Sequence, residues 1–199
     1  MTAFQAYLNL GFSHITDLQG YDHILFIVAL CAIYQLSDWK KVLILVTAFT
    51  VGHSITLALA TLQVVNFRSD IIEFLIPVTI LITAIGNLFH KPKPSRIDGK
   101  GNSQRLRYIA ALGFGLIHGL GFSNYLRSLL GKEESIVQPL FAFNIGLEAG
   151  QLLIVLILLV IGSLFTALLK VSRHDWNLVV SGIAMGIALT LILKTNIFV

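Results

Sequence analysis

From Ser135 to Leu169 the chain runs for 35 residues with Glu148 as its only charged side chain. About 20 apolar residues are enough for a helix to cross the hydrocarbon of a bilayer, and within that medium each segment must satisfy its own backbone hydrogen bonds. A run this long is a membrane helix with length to spare. Tilt, a break near Gly146 to Gly150, or an interfacial first turn must absorb the excess. The rest of the chain agrees: 56% of residues are hydrophobic and 12% charged, with a mean hydropathy of +0.84, where soluble domains carry roughly 25% charged residues.

Five further apolar stretches make an all-α polytopic bundle of about six spans, a single transmembrane domain covering residues 1–199. They are expected at Leu18–Ser37, Lys41–Val65, Asp70–Phe89, Tyr108–Leu126 and Trp176–Leu193, with Ser135–Leu169 as the fifth in order. Residues 1–19 lack a basic n-region and a small-residue cleavage site, so they read as a retained interfacial helix and not as a signal peptide. Residues 90–107 are polar and contain Pro and Gly, which predicts a loop. Of the 14 basic residues, ten fall on one side of the six-span topology and four on the other. The basic-rich side is cytoplasmic by the positive-inside rule, which puts both termini outside and the 90–107 loop inside. Trp39, Tyr108 and Trp176 all fall at cytoplasmic ends, where amphipathic rings favour the headgroups. Two inverted halves of three spans fit this topology, although no residue-level likeness joins them. The net charge of +4 sits in loops and forms no stripe, so it gives no reason to expect a nucleic-acid partner. Cys31 is the only cysteine, so no intramolecular disulfide forms.

The intramembrane ionisable residues are few and cluster by depth. At 1.5 Å per residue His53 and His118 stand about 18 and 17 Å above the cytoplasmic ends of their spans. Glu148 is expected at a comparable depth, with Asp22, His23 and Glu73 nearer the outer surface. None falls in the cytoplasmic third, a gradient that describes a polar cavity open to the outside and closed near the middle. Imidazoles with one or two carboxylates suit Zn²⁺, Ni²⁺ or Fe²⁺, so His23, His53, His118, Glu148 and Asp22 are the candidate ligands of a divalent transition metal, nickel or zinc. Asn144 and Gln151 share a helix face with Glu148 at i, i+4, i+7 spacing and are placed to orient it. Thr50 and Thr56 flank His53 in the same manner. Each residue also has a plainer role. A membrane histidine often only bonds across a helix interface, Glu73 suits the favourable end of a helix dipole, Asp22 and His23 suit a solvated helix start, and Gly113, Gly115, Gly119 and Gly121 suit a packing face around His118. Glu148 resists this treatment, because a carboxylate near the midplane needs a cation or a proton.

Four segments then carry a resemblance: HITDLQGYDHILF (His14 to Phe26), LVTAFTVGHSITLALA (Leu45 to Ala60), FGLIHGLGF (Phe114 to Phe122) and FNIGLEAGQL (Phe143 to Leu152). In this order they resemble the HupE/UreJ family of multi-pass bacterial membrane proteins, over nearly the whole chain. The resemblance implies a protein of the cytoplasmic (inner) membrane with about six helices, in a family whose members are associated with nickel supply to hydrogenase and urease. Nickel-linked members place a first-span histidine with five residues between it and an Asp-His pair. Here Asp22-His23 is present, His14 precedes it with seven residues between and Asp17 among them, which puts His14 and Asp17 with Glu73 in the surrounding shell. Of two His-Gly pairs and a following glutamate, His118-Gly119 remains, with Phe114 and Gly121 at the other positions.

Two functions follow. The first is a nickel-type transporter whose metal enters from outside, rests on the His and carboxylate set and leaves inward. The second is an intramembrane zinc hydrolase or transferase acting on a lipid or lipid-anchored substrate, with Glu148 or Asp22 as general base. A structural subunit whose polar groups only join helices is the plainest reading.

Overall fold

The computed structural model describes residues 2–90, 102–130 and 136–195, and among these the only regular structure is helix. The helices are α1 (Ala3–Thr16), α2 (Asp22–Cys31), α3 (Trp39–Thr61), α4 (Ser69–Leu88), α5 (Asn102–Gly121), α6 (Ser123–Leu130), α7 (Val137–Leu168) and α8 (Arg173–Lys194). A 3-10 turn, Leu36–Asp38, leads into α3. Among the described residues, α3 with that turn, α4, α7 and α8 are long and apolar enough to cross a bilayer, and α5 with α6, bent by 52°, makes a fifth candidate. The protein is thus an all-helical membrane protein. Outward-facing Leu153, Leu156, Ile157, Val160, Ile161 and Leu164 give α7 an apolar surface suited to lipid.

One segment folds differently from the expectation, and in a second, one of three expected alternatives is excluded. The stretch Leu18–Ser37 supplies only a ten-residue helix, α2, about 15 Å long at the standard rise. Hydropathy cannot separate a short buried helix from a span, and α2 is buried: His23, Leu25, Phe26, Ile27, Ala29, Leu30 and Cys31 are all in the core. In α7 no break occurs near Gly146 to Gly150, and its 32 residues form one helix. The expected loop at 90–107 falls mostly outside the described residues, and α5 begins at Asn102.

Close backbone approach at glycines builds the bundle, as is usual where lipid tails are as apolar as the side chains. On the α3/α5 pair, a Cβ at Gly52 would collide with the Leu112 carbonyl, one at Gly115 with that of Phe49, and one at Gly119 with that of His53. On the α1/α7 pair, a Cβ at Gly11 would collide with the Phe143 carbonyl, one at Gly146 with that of Leu8, and one at Gly150 with the Ile15 side chain. Contacts advance in the same direction on both partners, so the helices within each pair run parallel. The two pairs also match in register, Gly11-Phe12-Ser13 standing to Gly146 and Gly150 as Gly52-His53-Ser54 stands to Gly115 and Gly119. The internal likeness therefore relates two helix pairs nested in the chain, α3/α5 inside α1/α7, and not two consecutive halves. It also explains α1, which gains a buried groove on α7 through Gly11 and Ile15.

A polar clamp ties four helices at the opposite end of the bundle from the α4 N-terminus. Asn87 Nδ2 donates to the Ala29 carbonyl at 2.6 Å, Arg107 Nη1 donates to Asn87 Oδ1 at 3.1 Å, and Asn177 Nδ2 donates to the Asn87 carbonyl at 2.7 Å. Ser181 completes the set by donating to Asn177 Oδ1 at 3.0 Å. The ends of α2 and α4 and the starts of α5 and α8 thus meet at one level. Both α3 and α7 finish on a left-handed residue that is not glycine, Gln63 (φ 58°) and Lys170 (φ 54°). Bonds from Val64 N to the Leu59 carbonyl and from Val171 N to that of Phe165 close the two ends.

Candidate metal centre

Three histidines from three helices converge in the bundle. His14 comes from the last turn of α1, His23 from the first turn of α2, and His53 from the middle of α3. One ring nitrogen of each lies within 4.8 Å of the others. His53 is fully buried, His23 is 5% exposed, and His14 is half-buried. Aromatic rings hold them in place: Phe122 lies against His14 with centroids 3.9 Å apart, and Phe143 stacks on His53 at 6.4 Å and 17°.

The hydrogen bonding around these rings is incomplete in a consistent way. His23 Nδ1 pairs with Asp22 Oδ1 at 3.0 Å, and the same oxygen accepts the His23 backbone N–H at 2.9 Å. That leaves His23 Nε2 without a partner, as are His14 Nε2 and both nitrogens of His53, all buried. Buried polar atoms are ordinarily bonded. Unbonded nitrogens on three converging imidazoles mark a place built for something else. A carboxylate on the far nitrogen of a histidine is also the arrangement that orients metal-ligating imidazoles. Two nitrogens on one ion at ~2.05 Å lie at most ~4.1 Å apart, so a small ring adjustment closes the set. The donors are all imidazole, which suits zinc, nickel, copper or iron and disfavours magnesium or calcium.

The remaining candidates are distributed around this centre. His118 is fully buried beside it, 5.1 Å from His23 between centroids; Thr79 bonds its Nε2 at 3.0 Å, and its Nδ1 is unbonded. Asp17 is exposed and lines a groove of about 710 Å³ with Leu10, Ser13, His14, Phe122 and Tyr125, so His14 is reachable from the surface. Glu73 is exposed and shares a second hollow with Asp22, Pro77 and Lys194. Glu148 is separate from the histidines: Thr47 Oγ1 donates to its Oε1 at 2.7 Å. Gln151 accepts from Thr50 Oγ1 at 2.7 Å, and its own Nε2 is unbonded, as is Asn144 Oδ1.

The family profile described as "HupE / UreJ protein" matches residues 1–196. The chain belongs to the HupE/UreJ family. No curated protein and no solved structure matches it, so the site of this HupE/UreJ protein is read from its own residues. Thr47 and Thr79, which bond Glu148 and His118, were not legible as site residues. A regular signal did exist for Thr47, which stands with Thr50 and His53 at three-residue intervals on α3.

Proposed function

We propose that this HupE/UreJ protein is a transition-metal transporter of the cytoplasmic membrane, with Ni²⁺ as the cargo to test first. The observation that carries the proposal is the triangle of unbonded, buried imidazole nitrogens at His14, His23 and His53, reached by an open groove. A cation arriving hydrated at the groove exchanges water for imidazole there. Asp17 at the rim and Asp22 behind His23 supply negative charge, and Asp22 holds the His23 ring with Nε2 presented. His118 stands next to His23 with one free nitrogen, in reach as a further donor after a ring rotation.

For the membrane frame, six crossings with both termini outside remain the best account of the basic residues. In that frame the ten-residue α2, about 15 Å long, covers only part of the first crossing. Its C-terminal end joins the clamp at Asn87 and Arg107, on the side of the basic 91–107 segment, which supports that side as the cytoplasmic one. The groove then faces outward.

Equilibrium titration of the purified protein with Ni²⁺ and Zn²⁺, followed by Ni²⁺ uptake into proteoliposomes, tests this reading. One ion per chain is expected, with His14→Ala, His23→Ala and His53→Ala each weakening binding at least about tenfold. A wild-type protein that neither binds nor admits Ni²⁺, or a triple variant that binds as the parent does, refutes it.

A further inference from the structure

On one side of the histidine triangle, two oxygen-to-oxygen hydrogen bonds join α3 and α7. From His53 toward the N-terminal end of α3, Thr50 lies about 4.5 Å and Thr47 about 9 Å along the axis. Thr50 Oγ1 bonds Gln151 Oε1 and Thr47 Oγ1 bonds Glu148 Oε1, each at 2.7 Å. His53 stacks on Phe143 of the same α7, so all three α3 side chains look toward one helix. Gln151 is 1% exposed with an unbonded amide nitrogen, and turning the amide over offers its carbonyl oxygen instead. Among the described residues Glu148 forms no ion pair, although a carboxylate at this depth requires a cation or a proton.

We propose that Thr47, Glu148, Thr50 and Gln151 form a second, weaker cation site, the step through which the metal leaves the histidines toward the cytoplasm. This rests on the transport reading above. Imidazole holds the later first-row divalent ions in preference to hydroxyl, amide or carboxylate oxygen. A cation therefore meets tight nitrogen donors first and looser oxygen donors next, and a path conducts only when its last stop lets go. Glu148 supplies the one charge that makes the second stop worth occupying. In the proposed orientation the N-terminal end of α3 is cytoplasmic, so the ladder bridges the part of the path where no histidine is found.

The test compares Ni²⁺ binding in detergent with Ni²⁺ entry into vesicles that carry a metal-sensitive dye and, in parallel, a pH dye. Glu148→Gln is expected to bind Ni²⁺ within about twofold of the parent yet fill vesicles at least about tenfold more slowly. Thr47→Val with Thr50→Val, which keeps the charge, is expected to fall between them, and His53→Ala to lose both binding and entry. Entry at the parental rate in Glu148→Gln overturns the second site and leaves the first standing. Loss of binding as deep as in His53→Ala also overturns it, because Glu148 then belongs to the first site. Proton movement that vanishes in Glu148→Gln while Ni²⁺ still enters makes the ladder a proton carrier and overturns it as a metal stop. If the parent neither binds nor admits Ni²⁺, the transport reading fails, and this proposal with it.

Discussion

Changing Asp22 separates an orienting carboxylate from a merely nearby one. Its Oδ1 is 3.0 Å from His23 Nδ1 and also accepts the His23 backbone N–H. Asp22→Asn keeps an acceptor oxygen and loses the charge, whereas Asp22→Ala loses both. Removing a carboxylate behind a ligating histidine costs about 10–100-fold in metal affinity, or ~1.4–2.7 kcal/mol. Asp22→Asn is expected near the lower bound and Asp22→Ala near the upper, because in the latter nothing holds His23 with Nε2 facing the triangle. Asp22 also opens α2, and a first-turn carboxylate adds only about 0.3–1 kcal/mol through the helix dipole. The fold should therefore survive both changes, with unaltered circular dichroism. Ni²⁺ affinity is read by competition with a chromogenic chelator at constant salt and neutral pH. Asp22→Ala binding within twofold of the parent would refute the orienting role. An asparagine variant weaker than the alanine one would refute the acceptor argument.

Other outcomes follow from the packing. Gly52→Ala, whose Cβ meets the Leu112 carbonyl, should destabilise by about 1–3 kcal/mol. Gly113→Ala has open space and should leave thermal unfolding in detergent unchanged or slightly raised; equal losses in the two would contradict the interlock. Asn87→Ala removes two side-chain bonds at about 0.6 kcal/mol each, and up to ~1.7 each, as measured for membrane helices. A lower unfolding temperature with intact Ni²⁺ binding is expected, and no change would show the clamp to be idle. Thr79→Val strips the partner from His118 Nε2. It should alter Ni²⁺ affinity by less than about threefold if His118 stands outside the primary triangle, and a larger loss on titration would bring His118 into it.

The family, the helical class and the membrane setting were all legible in the residues. The reason is direct, since polar groups in an apolar chain are few and each must be accounted for. Three features were not legible. His14 sits in an amphipathic N-terminal stretch that reads as interfacial, and only the docking of Gly11 against α7 brings it to His23 and His53. Length alone made Leu18–Ser37 a span, whereas α2 stops after ten residues because the chain turns at Ala32 to Tyr34, where the Tyr34 N–H bonds the Cys31 carbonyl. Depth counted along an upright helix placed Glu148 level with His53. The side chain instead meets Thr47, six residues earlier on α3, while Phe143, five residues earlier on α7, is the residue that meets His53. Counting residues measures distance along one helix and says nothing of how far that helix is offset against its neighbour.

The matched glycine contacts of α1/α7 and α3/α5 have a mechanical consequence. Backbones locked against carbonyls have almost no freedom to slide, so each pair behaves as one stiff bar, and yielding is confined to the seam between them. His14 rides on one bar, His53 on the other, and His23 on the short helix that follows α1. The three nitrogens therefore span the seam as a clasp spans two covers. In the transport reading proposed above, a cation seated among them would draw the bars together, and a parting of the bars would unfasten it.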